Sequence, residues 1–442
     1  MKIKVILKRT FSIVSIFLVT LIVSQSLNFF ANDDSRSYTR IMIHQLDDSD
    51  ENVDILFVGA SHCYRALNPE IADGYFHATT FNAGSSGQFM DGSLAVIKEA
   101  LKHNDVKKVF LDVSYSIIKT EKYKDRDSLT STYILSDYME PSPEKVDYLL
   151  NASSYKHYIN SFFPAKRNAD KLFDFSGVLE TIQKKNTKEY KGYHWNKSFY
   201  NDEYYVDRGY VEKINTFEPE YISERAFGRI DSESLLNEKT DWLKSLYDII
   251  SFCKDKSIEL TFFIAPDREN TIVGKGNYQD FYCAMKEYAN KNDINLYDFN
   301  LCKESYFDSK NDSFFADEDH LNNKGAKEFT QLFSRFFTGG ISEADLFYDS
   351  YDKKTEAMEP YVYGIAKSPN GTDECQQMYL ICNKEESVQC SVLVKPEGKE
   401  EYEVPIKKPN ESFCVPNDSH GKIKVSWCRK EEMEKHKFEA SY

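Results

Sequence analysis

Basic residues are scarce in this 442-residue chain, with 56 Lys and Arg against 71 Asp and Glu, a formal charge of −15. Phosphate binding needs clustered Lys and Arg, and the only such cluster lies at the extreme N-terminus, which argues against a nucleic-acid role. Metal-site spacing is also missing. Of the nine cysteines, Cys63, Cys253, Cys283 and Cys302 are scattered through α/β-like sequence and read as reduced, buried thiols. Cys375, Cys382, Cys390, Cys414 and Cys428 lie closer together, close enough for a disulfide or two whose pairing stays open. No glycine-rich loop suits a phosphate, and Gly274-Lys275-Gly276-Asn277 reads most simply as a turn. No internal repeat is convincing. The expectation therefore includes no metal and no cofactor.

One long apolar run is present. Lys2, Lys4, Lys8 and Arg9 precede Thr10 to Phe30, 21 residues without a charge, and as a helix these span about 30 Å, the thickness of bilayer hydrocarbon. A cleaved secretory signal is the alternative, with Ser24-Gln25-Ser26 a middling cleavage site followed by bulky Leu27 to Phe30. An uncleaved anchor is the favoured reading. Positive charge before the span and Asp33-Asp34 after it predict residues 1–9 as a cytoplasmic tail, 10–30 as a single-pass anchor, and everything beyond as extracytoplasmic.

Residues 31–52 read as a polar stem, helical around Tyr38 to Leu46. Val53 to Val58 is then a buried strand that stops at Gly59 and delivers Ser61 to a strand-to-helix turn. A serine there is often only a helix cap. Thr79 to Asn82 predicts a second strand ending in the small-residue loop Ala83 to Gln88, Met90 to His103 a helix, and Val106 to Val113 a third strand. Residues 114–234 blur into Tyr-, Lys- and Asp-rich sequence and read as an insertion able to cover the site. Alternation resumes with helix 235–254, strand 258–265, helix 278–290, strand 294–299 and helix 324–337. The pattern predicts an α/β domain over 53–338 with a mostly parallel five-stranded sheet covered on both faces. Gly339-Gly340 marks a boundary, and short strands over 341–442 predict a small β-sandwich or barrel, a packing domain or a binder of glycan or a partner.

Three segments then align with one chemistry. Gly59-Ala60-Ser61-His62 after an apolar strand, Asn82-Ala83-Gly84-Ser85-Ser86-Gly87 after the second strand, and Asp317-Glu318-Asp319-His320 near the domain's end resemble, in order and spacing, the blocks of the SGNH or GDSL-type hydrolase superfamily. The resemblance covers roughly 53–338 with the insertion unmatched. It implies a flavodoxin-like three-layer α/β/α domain with Ser61 as nucleophile, His320 as base and Asp317 as the acid that orients it. A serine hydroxyl needs such a base at neutral pH, and the acid fixes the imidazole tautomer. Asp319 reads as a solvated loop carboxylate, and His62 as structural or substrate-facing. The backbone N–H groups of Ser61 and Gly87 are the expected oxyanion donors, with Gly84 competing. The superfamily's third block, Gly-x-Asn-Asp, is absent. Leu111-Asp112-Val113-Ser114-Tyr115-Ser116 stands in its place, so Ser114, Ser116, a substrate group or an insertion group must complete the hole.

A departed third block, an N-terminal anchor and an extracytoplasmic α/β domain are together similar to the membrane-anchored cell-envelope branch of that superfamily, the D-alanyl lipoteichoic acid transfer and polysaccharide O-acetylation proteins. The resemblance implies an esterase or acyltransferase acting on O-acyl groups, foremost acetyl, of an acylated carbohydrate or envelope polymer, with a membrane-bound O-acyltransferase as a partner. A non-enzymatic envelope-binding or assembly protein on a degenerate SGNH scaffold is the second reading.

Overall fold

The computed structural model describes residues 2–48, 51–115, 129–196, 202–218, 222–223, 241–275, 277–368, 372, 374–384, 388–408, 411–417, 420–429, 433 and 435–442. Ser116, the first six residues of the expected helix at 235–254, and Gly276 lie outside them. The chain forms two compact units, Met1–Lys213 with Glu238–Thr261, and Ile214–Asn237 with Phe262–Tyr442.

The first unit begins with the long helix α1 (Lys2–Ala31), long and apolar enough to cross a membrane. Its hydroxyls at Ser12, Thr20 and Ser26 bond back to carbonyls four residues earlier, which satisfies them within the helix. The stem helix α2 (Tyr38–Asp47) starts where the Ser37 side chain accepts from the Arg40 N–H. Strand β1 (Ile55–Val58) is buried along its whole length, as a run apolar on both faces requires in a parallel sheet. Helices α3 (Ser61–Ala66) and α4 (Pro69–Phe76) follow, the latter opened by an Asn68 cap with Pro69 in its first turn. Strand β2 (Thr80–Asn82), helix α5 (Met90–Ala100) and strand β3 (Lys108–Asp112) complete the first half of the sheet. Along α5 the buried stripe runs through Ala95, Val96, Ile97 and Ala100, while Leu94 and Leu101 are only half-buried.

Both β2 and β3 pair parallel with β1, in the register Phe57 opposite Asn82 and Phe110. The insertion supplies short helices over 130–191 and a hairpin of β4 (Glu203–Asp207) and β5 (Tyr210–Lys213). Asp207 faces Tyr210 across a two-residue turn in which Arg208 and Gly209 both have positive φ, 43° and 82°. The hairpin tip lies on β2, where the Asn82 N–H donates to the Arg208 carbonyl at 2.9 Å. Helix Asp241–Asp255 then brings buried Trp242, Leu246 and Ile249 to the core.

Strand β7 (Glu259–Ile264) begins in the first unit and ends in the second, which continues with β8 (Asn295–Asp298). The sheet order is β2-β1-β3-β7-β8, five parallel strands in the sequence 2-1-3-4-5 of doubly wound sheets. In the second unit, helix Asn323–Phe337 buries Phe329 and Phe333 against Phe299, with ring centroids 4.9 and 5.5 Å away. Gly274 and Lys275, read as part of a turn, instead close the helix Glu269–Lys275.

The C-terminal region holds two four-stranded sheets. One has the order β13-β10-β9-β6 and the other β12-β11-β14-β15. Their ranges are β6 Ile222–Ser223, β9 Val362–Lys367, β10 Cys375–Cys382, β11 Val388–Pro396, β12 Tyr402–Val404, β13 Phe413–Pro416, β14 Gly421–Arg429 and β15 His436–Ser441. Ile365, Leu380 and Phe413 of the first sheet share one core with Val392, Val425 and Trp427 of the second, as in a sandwich. Ile222 and Ser223, from the insertion, pair parallel with Ile365 and Ala366. Cys375 and Cys414 form a disulfide joining β10 to β13 across 39 residues. Among the thiols read as buried, Cys63, Cys253 and Cys302 are so, while Cys283 is exposed. A loop of that length predicts that the C375S/C414S variant loses about 4 kcal/mol, measurable as a lower denaturation midpoint that added reductant no longer moves.

Candidate active site

In the first unit, three parallel strands end side by side and their following loops carry the candidate groups. After β1, Gly59 turns the chain so that Ser61 opens α3. Only glycine fits there, because a Cβ would stand 2.6 Å from Asp112 Cβ and 2.8 Å from Cys63 Cβ. After β2, the Ser85 N–H reaches back to the Gly59 carbonyl at 3.3 Å, and the Ser85 hydroxyl donates to Gln88 Oε1 at 2.8 Å. The loop thus returns onto the Ser61 turn, and Gly87, at φ 61°, lies in its bend. Such a position, at carboxyl ends of strands where the strand order reverses between β1 and β3, is where open α/β sheets bind ligands.

Asn82 holds these two segments together. Its Nδ2 donates to the Cys63 and Leu67 carbonyls at 3.0 and 2.9 Å, and its Oδ1 accepts from the Gly84 N–H at 3.2 Å. The side chain is fully buried, so each bond is made without competing water. Helix α3 is braced from two further sides. Arg65 pairs with Glu203 of the hairpin at 3.0 Å. Tyr64 meets Tyr38 of the stem, hydroxyl to hydroxyl at 2.8 Å. Tyr38 also bonds Ser86, and burial raises its phenol well above the ordinary range, so it stays neutral and links the stem to both loops. His62 is buried within α3.

The third strand ends at Asp112, whose carboxyl is buried against the Gly59 turn. Burial, with Asp112 nearby, pushes the Cys63 thiol well up and makes it inert beside Ser61. Ser114 is buried just beyond, while Ser116 lies outside the described residues.

Asp317 and His320 belong to the second unit, where they sit in a tight loop. Residues Phe315 and Leu321 form an antiparallel bridge at its neck, and the Ala316 N–H donates to the His320 carbonyl at 2.8 Å. Asn322 fastens the loop, donating to the Ser313 and Phe315 carbonyls while its Oδ1 caps helix Asn323–Phe337. Asp317 Oδ1 accepts from the His320 N–H at 2.9 Å and lies 2.8 Å from His320 Nδ1. Asp319, read as a solvated carboxylate, is not one: its Oδ1 lies 3.0 Å from the same nitrogen. No residue spacing could distinguish these two acids, since both reach Nδ1 only through the fold of the loop.

Burial alone would lower the imidazole's pKa, but hydrogen bonds donated to Asp317 and then Asp319 overcome it and raise the value to about 9. Burial would likewise raise Asp317, and the bond to His320 outweighs it, holding that carboxyl below its usual range. With Nδ1 held by carboxylates, Nε2 is the nitrogen that can accept a proton. Ser61 and Gly87 fall in the first unit and Asp317 and His320 in the second; each pair has the local geometry described, and their cooperation belongs to the proposed mechanism.

A cavity of about 690 Å³ also lies in the first unit, lined by the stem residues Asp34 and Tyr38, by Ser86, and by Tyr133, Asn160 and Lys171 of the insertion. It runs between the segment following α1 and the loop that carries Gly87.

No family model matches this chain, and no curated protein does. One solved structure it matches is an engineered protein, 9% identical over 93% of this chain and 98% of that one, with a TM-score of 0.18, too low to inform the fold.

Proposed function

We propose that the chain is an SGNH-type serine acyl-esterase or acyltransferase, anchored by α1 with its bulk outside the cytoplasm, acting on O-acyl, foremost O-acetyl, groups of cell-envelope glycans. The observation that carries this reading is the carboxylate clamp on His320 Nδ1, the arrangement a serine hydrolase uses to aim Nε2 at its nucleophile. Ser61 at a strand-to-helix turn held by Asn82 supplies that nucleophile. The Cys375–Cys414 disulfide suits an oxidising compartment.

In this mechanism Ser61 Oγ attacks the ester carbonyl as its proton passes to His320 Nε2. The N–H groups of Ser61 and Gly87 stabilise the oxyanion, and the tetrahedral adduct collapses to an acyl-Ser61 with the sugar hydroxyl leaving on the returned proton. Water or a second carbohydrate hydroxyl then takes the acyl group by the same steps. A membrane-bound O-acyltransferase working upstream fits the resemblance. The decisive experiment treats the full-length protein with a fluorophosphonate and maps the adduct by peptide mass spectrometry. An adduct on Ser61, lost in H320A, is expected; an unlabelled Ser61 beside labelled control hydrolases overturns the reading.

The raised His320 pKa fixes the sign of the pH profile. A base must be neutral to act, so kcat/KM for an acetyl ester should climb with pH through neutrality with its inflection near 9 and level above it. Removing one of the two carboxylates in D319N should move that inflection down by about one pH unit. The same ion pair contributes folding stability below the ordinary histidine pKa and loses it as pH rises through about 9.

One observation favours the non-enzymatic alternative. Asp112, a buried carboxyl, stands where the superfamily's Gly-x-Asn-Asp loop would begin, and residues 111–116 supply no Asn side chain to donate to an oxyanion. Under that alternative the fluorophosphonate leaves Ser61 untouched.

A further inference from the structure

The helices of the insertion do not stand clear of α1. The Ala165 N–H donates to Ser24 Oγ at 3.2 Å, and Asn168 Nδ2 to Asn28 Oδ1 at 2.8 Å, both bonds buried. Phe163 meets Phe17 edge to face at a centroid distance of 5.8 Å. Lys185 Nζ donates to the Phe29 carbonyl at 2.9 Å and pairs with Asp34.

These contacts fix a depth. At 1.5 Å per residue, Phe17 lies about 20 Å along the helix axis from Phe30. If α1 spans a bilayer with residues 10–30 in hydrocarbon, whatever touches Phe17, Ser24 and Asn28 lies in hydrocarbon too. Sliding α1 outward until Phe17 reaches the surface would draw Lys8 and Arg9 into the apolar layer, which is costly.

The insertion's outer surface agrees. Outside α1, the large hydrophobic side chains more than 60% exposed among the described residues are Tyr155, Ile159, Phe173, Phe175, Leu179 and Met433. Five of those six fall within 25 residues that include the segment docked on α1. Over residues 153–191, eight Lys and Arg stand against four Asp and Glu, a charge of +4 in a chain of −15, as expected for apolar side chains dipping below anionic headgroups.

We propose that residues 155–179 form a second membrane-embedded element, lying beside α1 in the leaflet that its C-terminal half crosses, with Tyr155, Ile159, Phe173, Phe175 and Leu179 in contact with lipid acyl chains. The proposal rests on the reading of α1 as a transmembrane anchor. It holds the first unit at a fixed height and brings the cavity that reaches Ser86 to the headgroup layer, so a substrate carried on a membrane lipid or polymer enters without leaving the surface.

The test places full-length protein in nanodiscs of phosphatidylcholine and phosphatidylglycerol carrying a diazirine on the acyl chain, followed by irradiation and mapping of lipid adducts. Adducts on both 10–30 and 155–179 are expected. In F173E/F175E those on 155–179 should fall at least about tenfold while those on 10–30 and the melting temperature stay unchanged. Adducts on 10–30 alone overturn the proposal, point to a protein as the occupant of that face, and leave the anchor intact. Adducts on neither segment overturn the anchor reading as well. Unchanged labelling of 155–179 in the glutamate variant also overturns the proposal, because the apolar face would then not be what meets lipid.

Discussion

Ser61→Ala should reduce turnover of p-nitrophenyl acetate and of O-acetylated glycans at least about a thousandfold, with KM little changed. The size follows from what alanine removes. Without Oγ no acyl-enzyme forms, and what remains is whatever rate the oxyanion donors and bound water supply. The fold should tolerate the change, since α3 is held by Asn82, Arg65–Glu203 and Tyr38–Tyr64, and Ala60 rather than Ser61 occupies its cap position. A melting temperature within about 2 °C of wild type, alongside the lost activity, separates a chemical from a structural effect. Equal activity in the two proteins would remove Ser61 from the mechanism and leave the binding-protein alternative.

Gly209→Ala should be among the most destabilising single substitutions in the chain, costing at least about 3 kcal/mol. A Cβ at this position would lie 1.6 Å from the Asn82 carbonyl oxygen and 2.7 Å from its carbon, so β2 and the hairpin tip cannot both keep their places. Gly339 supplies the comparison, since it shares the φ of 82° but would have nothing within 4 Å of an added Cβ. Gly339→Ala should therefore cost only the backbone penalty, about 1–2 kcal/mol. Denaturant titrations of the two variants isolate the close approach, and equal losses would show that it does not exist. Because Asn82 ties the β2 loop to α3, G209A should also lose esterase activity under conditions where it remains folded.

The contrast between these two predictions shows what the sequence made legible. The strand-to-helix turn at Ser61 announces itself through a local signal, an apolar run stopped by Gly59. The sheet strands are legible for the same reason: Ile55 to Val58 and Leu260 to Ile264 are continuous buried runs that allow little other reading. Gly209 announces nothing. Its hairpin turn includes Arg208 in a left-handed conformation that arginine seldom adopts, and the stabilising partners, Asp73 and the Thr80 carbonyl, lie more than 120 residues away. Strand β15 is hard to read on similar grounds, because only Phe438 and Ala440 are buried and the residues around them are exposed, a pattern too short to stand out. Asp319 is a subtler case. Its neighbours predict a loop correctly, yet only the loop's path brings its carboxylate onto the histidine.

The docking of the insertion on α1 bears on how the mature chain can be produced. Cleavage at Ser24-Gln25-Ser26 would remove Phe17 and Ser24, leaving the Ala165 N–H without its partner and baring the surface around Phe163, while Asn28, the partner of Asn168, would stay on the mature chain. A leader peptide destined for removal gains nothing from such bonds. Under the proposed reading of α1 as a retained anchor, the segment acts as a load-sharing strut, and a secreted or truncated form beginning near residue 32 would start life with part of its own scaffold missing.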